Sequence, residues 1–409
     1  MSLDAQHHAS VAPAINAPAP DTAKFQTIAL GIGVIAVVGG AVLGFFGQGG
    51  AAGFFQSYLM SYLFWLGISL GALVMLFVQH MAGGPWGPLI ARPLESAATV
   101  IPLMALLFVP VLLGAGDLFP WTNAAYVAEH PTVAAKQEYL NMPWFVVRSV
   151  AYFAVWIGAA MLYRRGSLDQ DAAGEAAGTI GYKLRNAAGL WFVFYVLTMT
   201  FAGFDWAMSL TPTWFSGIYP TILMATQAIT GIAFMIIVIT WIANRNATVD
   251  ALLTPRRLQD LGNFLMAFTM FWAYVQVSQL IIQWSNNVVE TASWYVLRFS
   301  PEWLGVSAFL LFFGFFAPFF ILFSRWVKRK RRTLVMVAIW SLLMQALNYF
   351  WFLAPTFGRE GFALTLADVL LFIGIGGIWL AAFARQLASR QVLPANDPRL
   401  VAAVSEHHA

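Results

Sequence analysis

The sequence predicts an all-α integral membrane protein of ten transmembrane helices. Three observations predict it. First, the 409 residues are 60% hydrophobic and only 10% charged, where an ordinary soluble domain is roughly 25% charged. So little charge cannot wet the surface of a soluble fold of this size. Soluble enzymes, disordered chains and secreted disulfide scaffolds are thereby excluded. Second, apolar residues gather in ten runs of the length that crosses a bilayer core as helix, about 20 residues. Third, these runs are continuously apolar, not alternating in period two, which favours helices over a barrel.

The runs fall at 25–46, 58–82, 93–115, 144–163, 187–209, 217–242, 261–284, 303–324, 334–353 and 365–385. Residues 1–24 are Ala/Pro-rich and polar, with no basic leader and no cleavage signal, and read as a cytoplasmic tail. Residues 25–57 hold the first span and its outer loop. Residues 58–209 carry spans 2–5 and residues 210–353 carry spans 6–9. Residues 354–385 hold the last span. Residues 386–409, with Pro394 and Pro398, form a second polar tail.

Spans 2–5 and 6–9 share a layout. Each set contains a long outer loop, 116–143 or 285–302, that ends in an aromatic-plus-arginine cluster. These clusters are Trp144 with Arg148, and Trp294 and Tyr295 with Arg298 and Trp303. The layout predicts two four-helix bundles in parallel repeat, flanked by spans 1 and 10. The competing reading is the loop alternation common to all multi-span proteins. Gly67 and Gly71 form a GxxxG face for helix packing, and Gly374, Gly376 and Gly377 do similar work in span 10.

Eighteen of the 22 basic residues fall on one side of this topology. They include Arg164, Arg165, Lys183 and Arg185, and the run Lys328 to Arg332. The positive-inside rule then puts both termini in the cytoplasm. Two cytoplasmic ends require an even number of spans, as the hydropathy count gives. The opposite loops hold Asp117, Glu129, Glu138, Glu290 and Glu302, with tryptophans at interfacial level.

Ionisable groups in spans are costly and face the protein interior. His80 closes span 2, and Arg92 and Glu95 open span 3. His80 and Glu95 flank a short Gly-rich turn and are expected to meet at the cytoplasmic mouth, either as working groups or as an inert interfacial pair. Pro102 and Pro110 free backbone carbonyls and are expected to admit water. Asp205 sits in the outer half of span 5, with Arg148 or Arg298 as its expected partner. A purely structural pair is the alternative there. Asp368 opens span 10. Gln276, Gln279 and Gln283 share one face of span 7, with Tyr274 and Ser278 nearby. That face lines a wet path or else supplies interhelical hydrogen bonds. Gln227 and Asn348 are further polar residues, in spans 6 and 9.

The absence of cysteine excludes disulfides, iron–sulfur clusters and thiolate ligands. His80 is the single histidine within a span, so a bis-histidine haem is not expected. His130 lies in an outer loop, and His7, His8, His407 and His408 lie in the tails. No nucleotide-binding or metal-hydrolase motif is present.

Four segments resemble the NrfD/polysulfide-reductase-like membrane subunits, and most closely the F subunit of alternative complex III, a quinol:electron acceptor oxidoreductase. They are SYLFWLGISLGALVMLFVQHMAGGPWG (57–87), RPLESAATVIPLMALLFVP (92–110), FDWAMSLTPTWFSGIYP (204–220) and AYVQVSQLIIQWSNNVVETASWYVLR (273–298). The resemblance implies a multi-pass subunit of the bacterial inner membrane, in a respiratory or photosynthetic chain. Its implied partners are lipid, a paralogous C subunit, multihaem and monohaem cytochromes c, and an iron–sulfur subunit resembling molybdopterin enzymes. Haem c and iron–sulfur clusters then sit in those partners, with no cofactor in this chain and no nucleic-acid partner. His80, Glu95, Asp205, Gln276, Gln279, Gln283 and Asp368 become candidates for a proton path. Gln79 stands where many members have a second histidine.

Two rival readings stay open. In one, the subunit itself binds quinol at its outer half, through Tyr195, Asp205, Trp206 and Trp214. In the other, the chain is a stand-alone secondary transporter, against which stands the lack of paired, interrupted short spans.

Overall fold

The computed structural model describes residues 17–47, 49–286, 288–359, 361–394 and 396–400. The tail histidines His7, His8, His407 and His408 lie outside the described residues. Among the described residues there are helices and no strands. Ten helices are long and apolar enough to cross a membrane, numbered here as spans 1 to 10. They are Ala23–Phe46, Gly50–Ala82, Gly87–Leu113, Met142–Ala172, Ala177–Leu210, Tyr219–Ala243, Pro255–Asn286, Pro301–Phe323, Arg331–Phe357 and Leu366–Ala388.

Each predicted run lies on one of these helices, but several helices are longer than their run. Span 4 continues to Ala172, and span 5 begins at Ala177. Hydropathy marks where the chain leaves lipid, whereas the helical ladder carries on through Arg164, Arg165, Lys183 and Arg185.

Spans 2–5 pack in a ring, as do spans 6–9. Spans 1 and 10 run along each other and lean on span 2. Spans 2 and 6 occupy the same place in the two rings and form the seam between them. Both have 89% of their apolar window buried, far more than any other span. At their crossing a Cβ on Gly71 would lie 1.8 Å from the carbonyl oxygen of Gln227. A Cβ on Gly231 would lie 2.4 Å from the carbonyl carbon of Gly71. Lipid tails are as apolar as leucine, so helices in a bilayer associate through close packing, and only glycine permits this approach.

Span 3 is not one continuous helix. Tight turns at Thr99–Val100 and Leu107–Phe108 divide it into Gly87–Ala98, Ile101–Leu106 and Val109–Leu113, each with a proline inside or near its start. The prolines remove donors from the ladder. The exposed carbonyls were expected to admit water. Two carbonyls of this span take donors from span 2: the Tyr62 hydroxyl donates to the Met104 carbonyl at 2.8 Å, and Tyr58 donates to Leu107 at 2.7 Å. Span 8 carries its own irregularity, a π-helical stretch Leu310–Phe316 just ahead of Pro318.

The chain beyond span 10 does not behave as a free tail. Val392, Leu393 and Leu400 are fully buried, and the Val392 amide donates to the Ala17 carbonyl. Residues 389–394 and 396–400 thus form a strap across the end of the molecule that carries the basic loops, called here the basic face. Buried aliphatic side chains hold the strap down, and its polar residues reach the first bundle.

Candidate functional site

Polar groups gather at three levels: the basic face, mid-depth and the opposite face. At the basic face Arg92 and Glu95 lie one helical turn apart at the start of span 3, and both are buried. Glu95 Oε2 accepts from Arg390 of the strap at 2.6 Å and lies 3.6 Å from Arg92. Arg92 also pairs with Asp171 at the end of span 4. Burial pushes the Arg390 guanidinium below its ordinary value, and Glu95 opposes that push. A buried charge is tolerable only when paired in this way.

His80 does not meet Glu95. No hydrogen bond or ion pair joins them among the described residues. His80 packs on Tyr163, with ring centroids 5.0 Å apart. It borders a cavity of about 210 Å³ with Gln170, Asp397 and Arg399. Arg399 pairs with Asp397 at 2.7 Å and donates to the Gln79 carbonyl. The Gln79 carboxamide is fully buried, and neither of its polar atoms has a partner among the described residues. The strap supplies each group with its own neighbours, Arg390 for Glu95 and Asp397 with Arg399 beside the His80 cavity.

Arg390→Ala is expected to strip Glu95 of its closest cation and lower stability by about 2 kcal/mol, since Arg92 remains as a second partner. Thermal unfolding in detergent, with proteolysis of the strap as a second readout, checks this. An unchanged midpoint would mean the pair contributes nothing.

At mid-depth the seam between the bundles is polar. The Tyr195 hydroxyl donates to Gln227 Oε1 at 2.5 Å, and the Tyr349 side chain also bonds Gln227. Asn348 donates to Thr226 Oγ1 and to Gln345 Oε1, both at 3.3 Å. All six of these residues are buried. Gln227 and Asn348 were noticed in the sequence singly, and Tyr195 as part of a quinol site with Asp205, Trp206 and Trp214. Spans 5, 6 and 9 bring them together, and nothing in local spacing announces that.

At the opposite face, Asp205 is fully buried and its oxygens are taken. Arg148 grips it bidentately at 2.8 and 2.9 Å, and the Tyr152 hydroxyl donates at 2.7 Å. Arg298, the other expected partner, lies elsewhere. Its guanidinium stacks 3.4 Å from the Trp294 ring centroid and donates to the carbonyls of Trp294 and Phe352. Burial pushes it well below its ordinary value. Asp368 pairs with Arg359 at 2.7 Å and caps span 10 through Thr365. It also borders a largely apolar cavity of about 330 Å³ between spans 2, 9 and 10.

In span 7, Gln279 and Gln283 are buried, and Gln279 Oε1 accepts from Ser216 at 2.9 Å. Gln276 borders a cavity among spans 7, 8 and 9. Tyr274 is 68% exposed and points away from this face.

The residues expected to line a quinol site are engaged with other side chains. Trp206 lies in a packed aromatic cluster with Phe108, Phe153 and Trp156, and its indole donates to Ser149. Trp214 stacks on Trp294. Tyr195 is committed to Gln227.

Among the described residues no group of three His, Cys, Asp or Glu side chains is placed to hold a metal. No family model matches the chain, and no curated protein matches it either.

Proposed function

We propose that the chain is a membrane subunit of a quinol:electron acceptor oxidoreductase, similar to the F subunit of alternative complex III. It anchors the complex in the bacterial cytoplasmic membrane and provides part of a proton path, with both termini in the cytoplasm. Its partners are a paralogous membrane subunit, cytochromes c and an iron–sulfur subunit. Those partners carry the haem and the clusters. The observation that carries this reading is the band Tyr195–Gln227–Tyr349 with Asn348, Thr226 and Gln345. Close helix packing needs only small apolar residues there, yet hydroxyls and carboxamides fill the seam. Such groups pass protons by exchanging hydrogen-bond roles, without a buried charge.

The charged groups at the two faces then act as collectors. His80 and the cavity beside it, with Glu95 nearby, gather protons at the basic face. Gln276, Gln279 and Gln283 extend the path toward the opposite face, where Asp205 and Asp368 sit in ion pairs. These pairs hold the carboxyls as acceptors of fixed geometry.

Gln227→Leu tests this reading. The complex is reconstituted in vesicles, driven with quinol and a cytochrome acceptor, and proton movement is followed with a pH-sensitive dye. Quinol oxidation by a one-electron cytochrome itself releases one proton per electron, so the translocation beyond that proton is expected to be lost, while cytochrome reduction persists. An unchanged stoichiometry would overturn the proton path. Purification as a stand-alone monomer, without cytochromes, would favour a transporter.

A further inference from the structure

The cavity of about 210 Å³ beside His80 lies at the basic face, among the ends of spans 2, 4 and 5 and the strap. Its wall holds His80, Gln170, Arg185, Asp397 and Arg399, with Gly178 and Gly181 among them. The volume is several times the roughly 30 Å³ of one water. Two of the polar side chains are idle. His80 and Gln170 are 8% and 5% exposed, and neither makes a hydrogen bond among the described residues. Yet the polar atoms of both keep accessible surface, unlike the sealed carboxamide of Gln79 nearby. In residues so deeply buried, that surface faces the cavity they line. Gln170 Nε2 is directed at the glycine wall, since a Cβ on Gly181 would lie 3.1 Å from it.

The charges of the wall favour an anion. Arg185 is exposed and forms no ion pair among the described residues. Arg399 and Asp397 satisfy one another, the guanidinium giving the carboxylate two hydrogen bonds at 3.1 and 2.7 Å. That pair is neutral, so Arg185 leaves the wall with a net positive charge. The start of span 5 adds to it. Its helix begins at Ala177 with no side-chain cap, and the uncapped first amides lie at a helix end that carries about half a positive charge. Gly178 and Gly181, in the first two turns, put no side chain in front of them. A Cβ on Gly178 would meet nothing nearer than Pro398, at 4.0 Å. A carboxamide, an imidazole, a guanidinium and a helix N-terminus thus border one cavity. Such a donor set matches the oxygens of a phosphate group, and basic pockets between membrane helices suit phosphate headgroups.

We infer that this cavity binds a phosphate group, carried by a phospholipid headgroup or by a free phosphate anion. Gln170 Nε2 and the His80 ring donate to its oxygens, and Arg185 supplies the countercharge. The occupant also ties span 5 to the strap, because Pro398 and Arg399 belong to the same wall.

The test uses the protein as purified from its membrane in detergent, with inorganic phosphate and short-chain phosphatidylglycerol as separate probes. Native mass spectrometry reads the bound mass, and thermal unfolding reads the shift in midpoint. At least one probe is expected to bind and to raise the midpoint. Arg185→Gln removes an exposed charge and is expected to weaken binding about tenfold. Gly178→Leu fills the cavity from an exposed position and is expected to abolish binding. The midpoint of each variant without probe shows that it folds. Binding of phosphatidylglycerol alone assigns the site to a lipid headgroup, and binding of inorganic phosphate alone assigns it to the free anion. Failure of both probes to bind the wild type overturns the inference. So does undiminished binding by either variant, or equal retention of diacylglycerol, which carries no phosphate.

Discussion

Gly71→Leu is expected to separate spans 2 and 6 and to cost about 3 kcal/mol or more. Even alanine places a methyl 1.8 Å from the Gln227 carbonyl oxygen, and that oxygen belongs to a helical backbone. A backbone does not rotate away as a side chain does, so one helix must move. The movement opens the seam and pulls Gln227 from Tyr195 and Tyr349. Gly71→Ala is therefore expected to fall between wild type and leucine in thermal stability in detergent. Gly189→Ala is the control. A Cβ there meets nothing within 4 Å, and alanine is a better helix former by about 1 kcal/mol. If Gly71→Ala and Gly189→Ala shift the unfolding midpoint alike, the close crossing is refuted.

Breaking the Arg148–Asp205 pair is the second large effect. Asp205→Ala leaves a guanidinium with no carboxylate, and Arg148→Ala leaves a buried carboxylate with one phenol. Each is expected to lose about 3–5 kcal/mol, because an unpartnered charge remains in low dielectric. Arg148→Lys keeps the charge but not the fork, and is expected to lose a substantial part of this. The double variant Arg148→Ala with Asp205→Ala removes both charges and is expected to cost less than the sum of the two alanine singles. Thermal unfolding of all four variants closes the cycle. Strict additivity would mean that the two side chains do not interact.

How far the sequence could be read follows from the range of each signal. The ten spans were legible because hydropathy is a property of about 20 consecutive residues. Their ends were less so, since helix and bilayer stop at different places. The Gly71 face was visible as GxxxG, but its partner Gly231 was not, because the match lies on another helix. Asp205 needed a cation, and two were in reach. Only the ring order of spans 4 and 5 decides for Arg148, 57 residues away.

The strap was read as a polar tail because its anchors, Val392, Leu393 and Leu400, are scattered among prolines and charged residues. The cavity among spans 7, 8 and 9 left no trace in the sequence. Its walls come from three helices and the Tyr295 segment, and only their packing brings those residues together.

The strap also sets a timetable. Glu95 and Arg390 are 295 residues apart, and synthesis at roughly 5–20 residues per second separates them by about 15–60 s. For that interval Arg92 and Glu95 enter the membrane region with only Asp171 and each other for company. A nascent chain stalled before residue 390 carries an incompletely neutralised charge cluster at its basic face. Its charges are balanced only when the last segment closes and Arg390 reaches Glu95.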